Sequence, residues 1–91
     1  MKTLPYGLKK AINETGFIPI ELHKNAIYEE GKTYWCGYWS QWYKVLNAEY
    51  VTHRNYKELV SVTVQWQDGR IGTHCTALDP WNDWELQWTE Q

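Results

Sequence analysis

The dipeptide Asp68-Gly69 stands between two runs of alternating polarity, residues 60–67 and 70–77. An acidic-glycine pair in that setting is the strongest short-range signal for a β-hairpin closed by a two-residue type I′ turn. Placing the turn there predicts Gln67 opposite Arg70, Trp66 opposite Ile71, Val64 opposite Thr73, Val62 opposite Cys75 and Val60 opposite Ala77. One face would carry Val60, Val62, Val64, Trp66, Ile71, Thr73, Cys75 and Ala77. The other would carry Ser61, Thr63, Gln65, Gln67, Arg70, Gly72, His74 and Thr76. A slip of one residue moves a whole strand to its opposite face, so the clean separation favours this register.

Upstream, residues 33–39 and Trp42-Tyr43-Lys44-Val45-Leu46 read as two more strands around Ser40-Gln41, with a further run through Tyr50-Val51-Thr52. Downstream, residues 79–83 form a turn cluster, and Trp84, Leu86 and Trp88 alternate with polar residues as a last strand. The lead segment, residues 1–32, is built differently, because all 7 Trp lie at or after position 35. Leu4, Leu8, Ala11 and Ile12 recur at helical spacing, and Gly16 follows as a C-cap, which predicts a helix over residues 6–15. A helix this short is marginal alone and must lay its Leu4/Leu8/Ile12 face on the body. Residues 17–22 alternate weakly, and Pro19 confines them to a sheet edge. Short strands with polar turns predict a mainly β (α+β) chain: a small antiparallel SH3-like barrel of five to six strands with a short N-terminal helix. Its 91 residues form one domain, the aromatic body spanning residues 33–91.

The segment Trp42–Leu46, then residues 60–70, then Ala77-Leu78-Asp79-Pro80 resembles the three-strand signature of SH3-like barrels of the Tudor and KOW type. Tudor cages that grip methylated side chains use an aromatic at the acidic-glycine turn, whereas Gln67-Asp68-Gly69 has none. The chain also resembles short Trp-rich proteins encoded by phages and integrated elements, a likeness that adds interference with a host pathway to the functions considered.

Cys36, His53, His74 and Cys75 are zinc-type ligands, but there is no Cys-x-x-Cys pair, and adjacent strand residues such as His74 and Cys75 point to opposite faces. No metal or other cofactor is expected. The same opposition denies Cys75 a neighbouring base, and Glu29, Glu30, Asp79, Asp83 and Glu85 read as solvated or turn carboxylates, so no catalytic set emerges. Net charge is −2, and residues 79–91 hold four acids and no base. Phosphate neutralisation dominates nucleic-acid affinity, so nucleic acid is not favoured despite a local basic group of Lys44, Arg54, Lys57 and Arg70. No run is long and apolar enough for a membrane span or a signal peptide, and two cysteines make no disulfide framework, which together predict a cytoplasmic protein.

Trp66, Trp84 and Trp88 are read as core. The surplus lies in Tyr34, Trp35, Tyr38, Trp39, Trp42 and Tyr43, which alternation sends to both faces. Such side chains suit interfaces and concave sites. The expected function is a non-enzymatic binding module that takes a protein segment or small ligand. Trp35, Tyr38, Trp39, Trp42 and Tyr43 would provide stacking, and Gln65, Arg70 and His74 polar contacts. Two alternatives are a sponge for a nucleotide-derived signalling molecule, with Arg70 on a phosphate, and a nucleic-acid-binding domain. A homodimer would bury the surplus aromatics.

Overall fold

The computed structural model describes residues 3–74 and 76–88, the His74 side chain excepted. Its elements are α1 (Tyr6–Thr15), β1 (Ile18–Glu21), β2 (Thr33–Cys36), β3 (Gln41–Thr52), β4 (Lys57–Trp66), β5 (Ile71–His74) and β6 (Trp84–Gln87). The strands form one antiparallel sheet in the order β1-β6-β2-β3-β4-β5, with β1 and β5 as its ends. The chain is thus mostly β with one short N-terminal helix, as its alternation and spacing indicate.

All four residues of β2 are buried, so both faces of the sheet need a cover at its centre. On one face α1 supplies it. Leu8 and Ala11 pack with Phe17, Trp35, Trp84 and Leu86, while Leu4, Ile12 and Trp42 close the margin. The helix stops where expected: Gly16 takes a left-handed φ of 81° and its N–H donates to the Ile12 carbonyl at 2.7 Å. β1 pairs only with β6, Pro19 opposite Leu86, in keeping with an edge.

On the other face, Tyr34, Cys36, Tyr43, Val45, Val62 and Val64 are covered by Tyr28 and Leu78, with Leu22 and Ala26 beside them. Residues 22–32 form no helix or strand, and their main chain is held by tyrosine hydroxyls. Tyr28 N–H donates to Tyr50 Oη at 2.7 Å and Glu29 N–H to Tyr34 Oη at 3.1 Å. Tyr43 Oη donates to Tyr28 Oη at 3.2 Å, and Tyr28 Oη to the Thr76 carbonyl at 2.8 Å. These rings bring apolar area and a polar tip together, which lets a loop be buried without orphaning its backbone.

Three expectations are corrected. First, the Asp68-Gly69 turn has one residue more than a type I′ hairpin. Among the described non-glycine residues only Ser40 has positive φ, so Asp68 cannot take its part in that turn, whereas Gly69 reaches φ 93°. The Trp66 N–H donates to the Arg70 carbonyl and the Gly69 N–H to the Trp66 carbonyl, each at 2.8 Å, enclosing a three-residue loop. The ladder therefore pairs Gln65 with Ile71, Val64 with Gly72 and Val62 with His74, and Ile71 is 64% exposed. Cys75, expected opposite Val62 and near Cys36, lies outside the described residues.

Second, the run through Tyr50–Thr52 is the continuation of β3, and the preceding turn is Gly37–Ser40. Register shifts leave Leu46 unpaired on β3 and Val60 on β4. These bulges turn Val60 outward and let Leu59 pack against the core. Third, Trp88 is 60% exposed and lies over Phe17, with ring centroids 4.1 Å apart. Trp84 is buried and Trp66 half-buried, both in the cores.

Burial raises the phenol pKa of Tyr28, Tyr43 and Tyr50 above the usual value, and pushes that of Tyr34 up to about 12. A pKa raised in the folded state means that unfolded phenols ionise first. Their stabilising contribution is complete below the ordinary value of 10.0 and is lost as pH climbs from there towards 12. Thermal melts should hold a constant midpoint up to about pH 10 and then fall, with tyrosinate absorbance rising together with loss of β structure.

Candidate functional site

At one end of the sheet two turns are fastened together. The loop between β2 and β3, Gly37–Ser40, closes with Ser40 N–H donating to the Cys36 carbonyl at 2.9 Å, Ser40 at φ 55°. The loop before β6 is organised by Asp79, whose carboxylate accepts from Trp81 N–H at 2.9 Å and from Asn82 Nδ2 at 2.7 Å. Asp83 joins the two. Its carboxylate is buried and accepts from Gly37 N–H at 3.0 Å and from Asp79 N–H at 2.9 Å. Position 37 must be glycine for this approach, since a Cβ there would stand 2.3 Å from the Asn82 carbonyl oxygen.

The clip projects aromatic rings. Tyr38 is 84% exposed and Trp39 58% exposed, packed edge to face with centroids 5.1 Å apart. Trp81 is 83% exposed on the neighbouring turn. A cleft of about 710 Å³ opens between Tyr38 and Trp39 on one side and Thr76, Ala77, Asp79 and Asn82 on the other. Cys36 contributes to the same lining, and burial raises its thiol pKa, which keeps the sulfur protonated and poorly nucleophilic at neutral pH. Trp39 also borders a second cleft, of about 320 Å³, with Gln41, Trp66 and Arg70.

The eight side chains singled out from sequence divide into groups. Tyr38, Trp39 and Arg70 gather at this end. Trp35 and Tyr43 are buried, one in each core, and present no surface; the Trp35 Nε1 has no hydrogen-bond partner among the described residues. Trp42 packs edge to face against Phe17 at 5.2 Å, beneath the helix, and shares a groove with Gln65, Lys44 and Trp88. The expected polar row of Gln65, Arg70 and His74 is not formed as drawn, because Gln65 pairs with Ile71 and His74 with Val62. The His74 side chain lies outside the description.

Arg70 is already engaged: its Nε donates to Asp68 Oδ2 at 2.6 Å, both side chains exposed. The Arg70 N–H and guanidinium together hold the Asp68 carboxyl below its usual pKa. Among the described residues no cluster of three or more His, Cys, Asp or Glu is placed to hold a metal ion, and no helix is long and apolar enough to cross a membrane.

Sequence reasoning missed Asp83 and Trp81. The signal for the first was present: an Asp four residues after another, across Pro80, suits a turn whose second carboxylate turns back on the first residue's N–H. Comparison with protein-family models, curated proteins and solved structures finds no match.

Asp83→Ala would leave two half-buried N–H donors, of Gly37 and Asp79, without their acceptor, at up to about 1–3 kcal/mol each. Urea melts should show a loss of about 2–5 kcal/mol. Gly37→Ala should also destabilise, and the double variant should lose less than the sum, because both changes open one clip.

Proposed function

We propose that this protein is a non-enzymatic binding module whose recognition surface is the rim formed by Tyr38 and Trp39 over the adjoining cleft, and that its ligand is a short segment of another protein. The observation that carries the reading is the exposure of these two rings on a turn fixed by a buried carboxylate. Exposed aromatic residues on a rigid support lose little entropy on binding and dominate the energetics of many interfaces. Trp81 extends the apolar rim along the neighbouring turn. The cleft is within the size range of ligand sites and carries a few polar groups beside the aromatics. The raised thiol pKa of Cys36 argues against nucleophilic chemistry there. The likeness of residues 42–46, 60–70 and 77–80 to small SH3-like barrels agrees with a binding role.

A peptide library displayed on phage and selected on the protein should yield binders. Tyr38→Ala with Trp39→Ala should weaken the best of them by about 2–4 kcal/mol while leaving the melting transition nearly unchanged. Equal binding by that double variant, or no enriched peptide, would sink the assignment.

A further inference from the structure

A different recess lies at the opposite, outer part of the β3–β4 ribbon. β2 pairs with β3 only over Gln41–Lys44, and β5 with β4 only over residues 62–65, so the ribbon continues beyond both neighbours to its tip at residues 53–56. The tip is closed by His53 N–H donating to the Tyr56 carbonyl at 2.8 Å. Between the tip and residues 24–27 is a groove of about 610 Å³, floored by Leu59 and Leu78. Lys24, Lys57, Asn25, Asn55 and Tyr56 supply its polar and aromatic edges, and no carboxylate lines it.

Among the described residues Lys32 lies against Glu29 and Glu85 and Arg70 against Asp68, whereas Lys9, Lys10, Lys44 and Arg54 make no ion pair and do not line this groove. Lys24 and Lys57 make no ion pair among the described residues, and both line one concavity. The ribbon's nearby acid, Glu58, is occupied by His53 at 2.8 Å. Tyr56 is stacked on His53, centroids 4.8 Å apart at 29°. One side of the ring is thereby supported, and the side chain is exposed at the groove's edge. Two ammonium groups select an anion; a supported phenol and an aliphatic floor select a flat body; two carboxamides offer donors and acceptors to its edge.

We infer that this groove is a second binding site, independent of the Tyr38–Trp39 surface, for a small phosphorylated compound with a planar ring, of which a nucleoside monophosphate is the simplest. Lys24 and Lys57 hold the phosphate, Tyr56 stacks on the ring, and Asn25 and Asn55 contact its edge.

The test is calorimetric titration at low salt with adenosine monophosphate, ribose 5-phosphate and adenosine. The nucleotide should bind saturably, and the two fragments at least about tenfold more weakly. Lys24→Gln with Lys57→Gln should weaken nucleotide binding about tenfold or more, and Tyr56→Ala several-fold. These side chains lie at the groove's edges, so melting should be unaltered, and the Tyr38→Ala/Trp39→Ala variant should bind the nucleotide normally. Absence of saturable binding at millimolar nucleotide would overturn the inference, as would binding insensitive to the lysine changes or lost in the Tyr38/Trp39 variant. Ribose phosphate binding as tightly as the nucleotide would overturn the requirement for a ring.

Discussion

A four-residue strand buried on both faces is the constraint from which the rest of this fold follows. β2 lies inside the sheet, Trp35 facing the helix and Tyr34 and Cys36 facing the other way, so neither side can be left to solvent. A chain of 91 residues has little material for two covers. It uses a ten-residue helix on one side and a loop without regular secondary structure on the other. The helix brings its own hydrogen bonds and needs only an apolar stripe. The loop must be given partners for its backbone, and the hydroxyls of Tyr50 and Tyr34 on the sheet provide them. Much of the aromatic excess is thus structural, and the tyrosines are used for both of their properties at once.

The same constraint explains what could be read in the sequence. Helix α1, its Gly16 stop and the edge position of the Pro19 strand depend on local rules and were legible residue by residue. Facing within residues 34–43 was not, because burial on both sides removes the alternation on which facing is judged. The hairpin shows a subtler failure. Asp68-Gly69 marked the turn correctly, but the pair is compatible with a two- or a three-residue loop. That choice rests on whether Asp68 adopts positive φ, which no pattern of apolar residues reveals. The wrong loop length shifted every partner on β5 by one position. A bulge at Val60 then redirected a residue that strict alternation had sent to the core.

The candidate surface was half legible for a related reason. The surplus of aromatics over residues 34–43 was visible, but Tyr38 and Trp39, read as strand residues, lie in the Gly37–Ser40 turn, where rings have no sheet to lie against. What fixes that turn is Asp83, remote in sequence and indistinguishable by composition from a solvated acid. Its burial becomes sensible only when the backbone donors of Gly37 and Asp79 are seen to converge on it. Glycine at 37 then reads as a requirement of close approach between two loops, beyond its role as a turn former.

The Tyr28 hydroxyl, which donates to the Thr76 carbonyl, holds a strip of chain that has two sides. Ala77 borders both the cleft beside Tyr38 and Trp39 and the groove beneath Tyr56. The two recesses therefore meet at one residue of main chain, held to the core by a phenol. A molecule with very little interior thus uses the same short stretch of main chain as a wall for both of its recesses, and a single hydroxyl inside the core sets where that wall stands.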